Sequence, residues 1–81
     1  MRGAVKIDDG LYRKDWKEIL EKDGKYYVQM HTNILNSDGE AIIRVDSSNR
    51  EIPYSITIKM YGKVKYELLS KVLEEHVKRN I

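Results

Sequence analysis

The sequence predicts a small α+β fold, in which a three-stranded antiparallel meander is preceded by a short helix and packed on one face by a long C-terminal helix. Apolar residues alternate with a period of two in three consecutive stretches, which turn-forming residues separate. On both sides of this region the apolar residues recur at helical spacing. At 81 residues the chain is too short for a second core, so we expect residues 1–81 to form a single domain.

The N-terminal part of the chain contains one short strand signal and one ambiguous element. Residues 5–7 favour a short strand that is an optional addition to the meander. Residues 12–23 carry apolar side chains at helical spacing and end before Gly24, a pattern that predicts a helix. The alternative is a strand over residues 17–22, which the dipeptide Asp23-Gly24 joins to the next strand as a hairpin. The helix is the preferred interpretation.

The meander is predicted from alternation in three strands, each with one apolar face. That face consists of Tyr26, Val28, Met30, Thr32 and Ile34 in the first strand, Ala41, Ile43 and Val45 in the second, and Tyr54, Ile56, Ile58 and Met60 in the third. Pro53 fits the first residue of the third strand, because a proline there removes no ladder hydrogen bond.

The C-terminal region from residue 63 to residue 80 returns to a period of 3.6. Its apolar stripe consists of Val64, Leu68, Leu69, Val72, Leu73 and Val77. The opposite side carries Glu and Lys or Arg at i,i+4 spacing, which is typical of a solvated helix face. We therefore expect this helix to cover the apolar side of the sheet.

Composition excludes several classes of protein. The formal net charge is only +2, and the chain contains no cysteine, so disulfide frameworks, thiolate metal sites and thiol nucleophiles are excluded. No apolar stretch is long enough for a signal peptide or a membrane span, and a cytoplasmic protein is expected. His31 and His76 lie in different predicted elements and form no pair. We expect a protein that is not an enzyme and binds no cofactor or metal.

One surface stands out as a candidate site, namely the sheet face turned away from the long helix and the basic corner beside it. The predicted nucleic-acid-binding residues are Tyr27, Gln29, His31, Arg44, Thr57, Lys59, Tyr61, Lys63 and Lys65. Aromatic rings stack on bases, lysine and arginine neutralise phosphates, and arginine and glutamine hydrogen-bond to base edges. Ile42 is the one aliphatic residue expected on this face, and Asp46, at the end of its strand, is the one expected carboxylate.

The function these residues favour is a small non-catalytic module that binds DNA or RNA through this face. The first alternative is an ordinary solvated sheet face, or a face covered by the helix over residues 12–23. The second is a protein-interaction, regulatory or inhibitor module that acts as a homodimer through its sheet edges. The expected partners are thus nucleic acid, another protein or a second copy, but no membrane.

The predicted order of helix, three strands and long helix is similar to that of double-stranded RNA-binding domains. It is also similar to the small sheet domains with which some phage-type integrases bind DNA. The similarity concerns element order alone, since no motif residues match, and we assign no family.

Overall fold

The computed structural model describes residues 2–48 and 55–80 and shows an antiparallel sheet that carries one helix. The elements are β1 (Val5–Asp8), β2 (Leu11–Lys22), β3 (Lys25–Leu35), β4 (Ala41–Ser48), β5 (Ser55–Met60) and α1 (Tyr66–Asn80). Each strand pairs with the next along the chain, so the spatial order is β1-β2-β3-β4-β5. Within residues 2–48 and 55–80, no helix has the combined length and hydrophobicity of a membrane-spanning segment.

The predicted fold is wrong at the N-terminus, where residues 12–22 belong to strand β2, Asp23 lies in the following turn and no helix precedes the sheet. The meander has five strands instead of three, and β1 confirms the optional N-terminal strand. The similarity in element order to RNA-binding and integrase domains therefore no longer holds. The strands predicted after Gly24 and the C-terminal helix are found, although Pro53 and Tyr54 lie outside the described residues.

The hairpin between β2 and β3 explains why the helical spacing misled the prediction. Asp23 and Gly24 both have positive φ, at 54° and 76°, as a two-residue type I′ turn requires. This turn sets a continuous register from Lys22 opposite Lys25 to Tyr12 opposite Leu35. Pairing along the whole strand satisfies the backbone on both sides, and such tertiary pairing overrides a weak helical propensity.

The hydrophobic core lies between α1 and the two strands beneath it, β3 and β4. Ile34, Ile43, Val45 and Val72 form its buried centre. Leu68, Leu69 and Leu73 of α1 pack around this centre with residues of the neighbouring elements. Because a helix is about 10 Å wide and five strands span about 19 Å, α1 covers only the middle of the sheet.

Ile42 differs from its predicted position on the face opposite the helix. The register passes from Ile34 opposite Ile43 to Leu35 opposite Ala41, which leaves Ile42 as the extra residue of an irregularity in β4. Its side chain packs against the core cluster on the helix side. The opposite face therefore loses its predicted aliphatic member.

A chain of buried polar side chains crosses the core beside these apolar residues. Thr32, Ser47 and His76 are each at most 2% exposed. His76 Nδ1 lies 2.7 Å from Thr32 Oγ1, and His76 Nε2 lies 2.7 Å from Ser47 Oγ. Thr32 in turn donates to Asp15 Oδ1 at 2.7 Å, and Arg13 Nε donates to Asp15 Oδ2 at 2.9 Å. These bonds connect β2, β3, β4 and α1.

Candidate nucleic-acid interface

The sheet face opposite α1 is uncovered by any described helix, because β2 occupies the place of the predicted N-terminal helix. We call it the open face. Cross-strand pairing arranges its side chains in rows that run perpendicular to the strands. The open face therefore includes residues of β2 whose spacing in the sequence predicts a helix.

The first row is basic and crosses four strands. It consists of Lys14 on β2, Asn33 on β3, Arg44 on β4 and Lys59 on β5, each directly opposite the next. With strands about 4.8 Å apart, the row is about 14 Å long. Its three cations are exposed, and none forms an ion pair with a carboxylate of the described residues. We call these four residues the basic row.

The neighbouring row is built around a stacked pair of rings. Trp16 and His31 face each other across β2 and β3, with ring centroids 4.8 Å apart and an interplanar angle of 20°. The ammonium of Lys14 lies 5.9 Å from the Trp16 ring centroid, within the range of a cation–π contact. Trp16 is thus held between a residue of the basic row and an imidazole.

His31 itself is enclosed, which differs from the exposed contact residue that the sequence predicted. Its side chain is only 12% exposed, and its Nδ1 contacts the Asp46 carboxylate within hydrogen-bond distance. Its Nε2 lies 3.4 Å from Glu18 Oε1, where it makes no hydrogen bond. The face therefore has two carboxylates near its centre, both directed at His31. We assign His31 to positioning Trp16, since it has little surface left for a ligand.

At the end of β5, Tyr61 extends the basic row with an aromatic ring. Its amide donates to the carbonyl of Ile42 at 2.9 Å, which fixes the backbone beside β4. The Arg44 guanidinium lies 5.9 Å from the ring centroid. Tyr61 is 47% exposed, so part of its ring remains accessible for stacking.

The remaining predicted residues of the face line a shallow depression of about 420 Å³ at the other end of the same strands. Tyr27, Gln29 and Thr57 are among its lining residues, together with Leu20 and Ser55. Hydroxyl and amide groups therefore line the depression together with the carboxylates of Glu21 and Asp46 and the ammonium of Lys22. The structure thus brings six of the predicted residues onto the accessible part of one face: Tyr27, Gln29, Arg44, Thr57, Lys59 and Tyr61.

Lys63 and Lys65 are separated from this surface. Both line a groove of about 790 Å³ on the helix side of the sheet, between β1, β2 and the start of α1. Four carboxylates line the same groove, so the two lysines do not form a purely basic patch: Asp8, Asp9, Glu67 and Glu75. The basic corner expected from the sequence is therefore divided between two sides of the molecule.

Three residues of the basic row and the ring pair were not among the predicted site residues, namely Lys14, Trp16 and Asn33, although Asn33 was expected on this face. Lys14 and Trp16 were assigned to a helix, and Asn33 carries no feature that distinguishes it from other polar strand residues. The dipeptide Asp23-Gly24 was the signal that could have placed the first two, because a hairpin there puts even-numbered residues of β2 on the open face.

No group of three or more His, Cys, Asp or Glu side chains in residues 2–48 and 55–80 could hold a metal ion. Ser47, His76, Thr32 and Asp15 form a hydrogen-bonded series, yet Ser47 is only 2% exposed. Burial lowers the pKa of His76 below its ordinary value of 6.5, while the nearby Asp15 and Asp46 carboxylates raise it in part. A buried hydroxyl beside a buried neutral imidazole stabilises the core without offering a nucleophile to a substrate.

Comparison of the chain with protein-family models found no match. Comparisons with curated proteins and with solved structures found no significant match either. The open face and its basic row are therefore the observations from which a function is inferred.

Proposed function

We propose that the protein binds nucleic acid through its open face, with the basic row as the phosphate-binding element. The observation that carries this proposal is the alignment of Lys14, Arg44 and Lys59 on an uncovered face without carboxylate partners. Three cations in a line about 14 Å long match a polyanion better than a compact anion. Asn33, between two of them, adds an amide that can donate and accept hydrogen bonds.

Single-stranded DNA or RNA fits this face better than a duplex. A sheet about 19 Å wide cannot enter a major groove about 12 Å wide, which admits a helix or a two-stranded ribbon. Single strands instead present bases that stack on exposed aromatic rings. Tyr61 lies at the end of the basic row, so a strand that follows the cations reaches a ring on which a base can stack.

Fluorescence anisotropy with labelled single-stranded and double-stranded oligonucleotides tests the proposal. Single strands are expected to bind more tightly, with affinity that falls as salt rises. Three phosphate contacts predict a slope of about −2 for log affinity against log salt concentration on a single strand. Absence of binding to every DNA or RNA probe at low salt would overturn the proposal.

Two double substitutions with equal changes in net charge locate the binding surface. Arg44→Glu with Lys59→Glu reverses the basic row and is expected to abolish binding. Lys63→Glu with Lys65→Glu makes the same change in the groove on the other side and is expected to have a much smaller effect. Equal losses in both variants would mean that net charge, and not the open face, determines binding.

A further inference from the structure

The two edges of the sheet differ in how well they are protected against strand pairing. Edge strand β1 has only four residues, includes Lys6 and Asp8, and has an irregular register between them. Short length, charge and a bulge are features that block the addition of another strand. Edge strand β5 has six residues, a regular register with β4 and a single charged residue, Lys59. It is the edge without such protection.

Apolar side chains are exposed along β5 on the side of the sheet that carries α1. Ile56 and Ile58 are each 36% exposed, and Met60 is 51% exposed. One side of α1, with Leu68, Lys71 and Glu75, faces the groove over β1 and β2. By helical spacing the opposite side of α1 is directed toward β5 and is apolar, with Leu69, Leu73 and Val77. Val77 is also 36% exposed. Strand and helix therefore both present apolar side chains on this side of the molecule.

The outward backbone groups of β5 belong to the same residues as these apolar side chains. The amide of Tyr61 points to β4, where it donates to Ile42. Backbone groups alternate in direction along an antiparallel strand, so Lys59 and Thr57 also point to β4. Ile56, Ile58 and Met60 therefore direct their N–H and C=O groups to the free edge, where a further strand would bind.

We propose that two copies of this chain associate by antiparallel pairing of their β5 strands about a two-fold axis at Ile58. In this register Ile58 pairs with its own copy, and Ile56 pairs with Met60 in both directions. All three are hydrogen-bonded pairs, and they bring apolar side chains together on the α1 side. On the open face Lys59 lies opposite Thr57, so like charges do not meet.

Neighbouring registers are less favourable for two copies. An axis at Lys59 places the two ammonium groups directly opposite each other, which is destabilising. An axis at Thr57 pairs Ile56 with Ile58 in both directions but places Met60 opposite neither of them, so fewer of the three apolar side chains pair with one another. If the pairing of the two β5 strands is shifted by one residue, the apolar side chains of each copy lie opposite polar side chains of the other on both faces of the sheet. The strand is thus most self-complementary at Ile58, which is why a second copy is the occupant we assign.

Native mass measured by light scattering, on protein whose absorbance ratio shows no bound nucleic acid, gives the first test. The chain is expected at twice 9.5 kDa. Ile58→Lys is expected to give a folded monomer, whereas Val5→Lys on the opposite edge is the matched control and keeps the dimer mass. A monomeric parent chain, or loss of the dimer only in Val5→Lys, would overturn the proposal.

Single cysteines test the register directly, because the chain has none of its own. Hydrogen-bonded partners lie about 5.5 Å apart between Cα atoms, within disulfide range, so Ile58→Cys is expected to cross-link under mild oxidation. Ile56→Cys is the control, since its two copies lie about 13 Å apart along the strand and are expected to stay reduced. Efficient cross-linking of Ile56→Cys instead would contradict the axis at Ile58.

The dimer and the nucleic-acid site are independent and can fail separately. Arg44→Glu with Lys59→Glu changes the open face and leaves the outward backbone groups of β5 untouched. This variant is expected to lose nucleic-acid binding and to retain the dimer mass. A monomeric variant would mean that the open face, and not the edge of β5, holds the copies together.

Discussion

Ser47 on β4 donates a hydrogen bond to Nε2 of His76 on α1, at 2.7 Å, in the interior of the protein. The direction follows from Thr32, whose single hydroxyl proton goes to Asp15 Oδ1. Thr32 Oγ1 must therefore accept from His76 Nδ1–H, which leaves Nε2 as the acceptor for Ser47. A neutral imidazole thus satisfies two strand hydroxyls at once and fixes α1 over the sheet.

His76→Ala is expected to destabilise the protein by about 3 to 5 kcal/mol. The substitution opens a cavity and leaves the hydroxyls of Ser47 and Thr32 without their partner. Urea unfolding measures the effect. The control is Glu74→Ala, which removes an exposed ion pair with Lys78 and is expected to cost less than about 0.5 kcal/mol. A loss below about 1 kcal/mol for His76→Ala would show that the network contributes little.

Stability is expected to fall as the pH is lowered through the range below 6.5. Because burial lowers the pKa of His76 in the folded state, the unfolded chain binds its proton first, and protonation therefore favours unfolding. The stability that neutral His76 contributes is fully present above pH 6.5, the ordinary histidine pKa. It is lost as the pH falls through the lower pKa of His76 in the folded state. Urea midpoints between about pH 7 and about pH 5 measure it.

Two variants assign this pH dependence to one residue. His76→Gln is expected to lessen the decline, since an amide takes up no proton in this pH range while the carboxylates of Asp15 and Asp46 that face the position remain. His31→Gln is the matched control, because it changes the other histidine and leaves the His76 imidazole with its Thr32 and Ser47 partners. The reverse pattern would assign the decline to the open face.

Gly24→Ala is expected to destabilise the protein by about 1 to 2 kcal/mol. Gly24 has φ of 76°, and a Cβ there meets no atom within 4 Å, so the cost is conformational and not a clash. Asp23→Asn is the control, because asparagine tolerates the positive φ at that position. Thermal unfolding measures both. An unchanged melting temperature for Gly24→Ala would contradict the type I′ turn.

Lys14→Gln is expected to weaken binding to single strands and to make the salt slope shallower by about 0.7, the contribution of one phosphate contact. Lys17→Gln is the matched control, since Lys17 lies on the same strand but on the α1 side. Anisotropy titrations at several salt concentrations measure both variants. Equal effects would indicate attraction by general charge and not by the basic row.

Much of the sheet could be predicted because period-two alternation and the turn residues agree from Lys25 onward. The N-terminal error arose where two local signals conflicted, namely the helical spacing around Trp16 and the hairpin dipeptide Asp23-Gly24. Long-range pairing with β3 decided between them, and no local pattern contains that information. As a consequence Ile19, expected in a packed helix, is 74% exposed.

The membership of the open face was predicted in part, because some of its strands were identified and β2 was not. Arg44 and Lys59 were placed correctly because their strands were identified, whereas Lys14 was missed with its strand. The buried polar chain left a weaker signal. Thr32 lies in an apolar alternation, and His76 continues the apolar stripe of α1 four residues after Val72. Polar residues at core positions have to satisfy one another, but sequence alone does not reveal the partners.

Partial cover of the sheet by α1 divides the molecule into parts of unequal local stability. Amides of β3 and β4 lie beneath the helix and are expected to exchange with solvent only on global unfolding, while β1 and β5 open by smaller fluctuations. A ligand on the open face or a copy at β5 would restrain these outer strands. A ligand that binds only the folded state adds about 2.7 kcal/mol to the free energy of unfolding when its free concentration is a hundred times its Kd. Occupancy of the open face or of the β5 edge would therefore raise the stability of the fold.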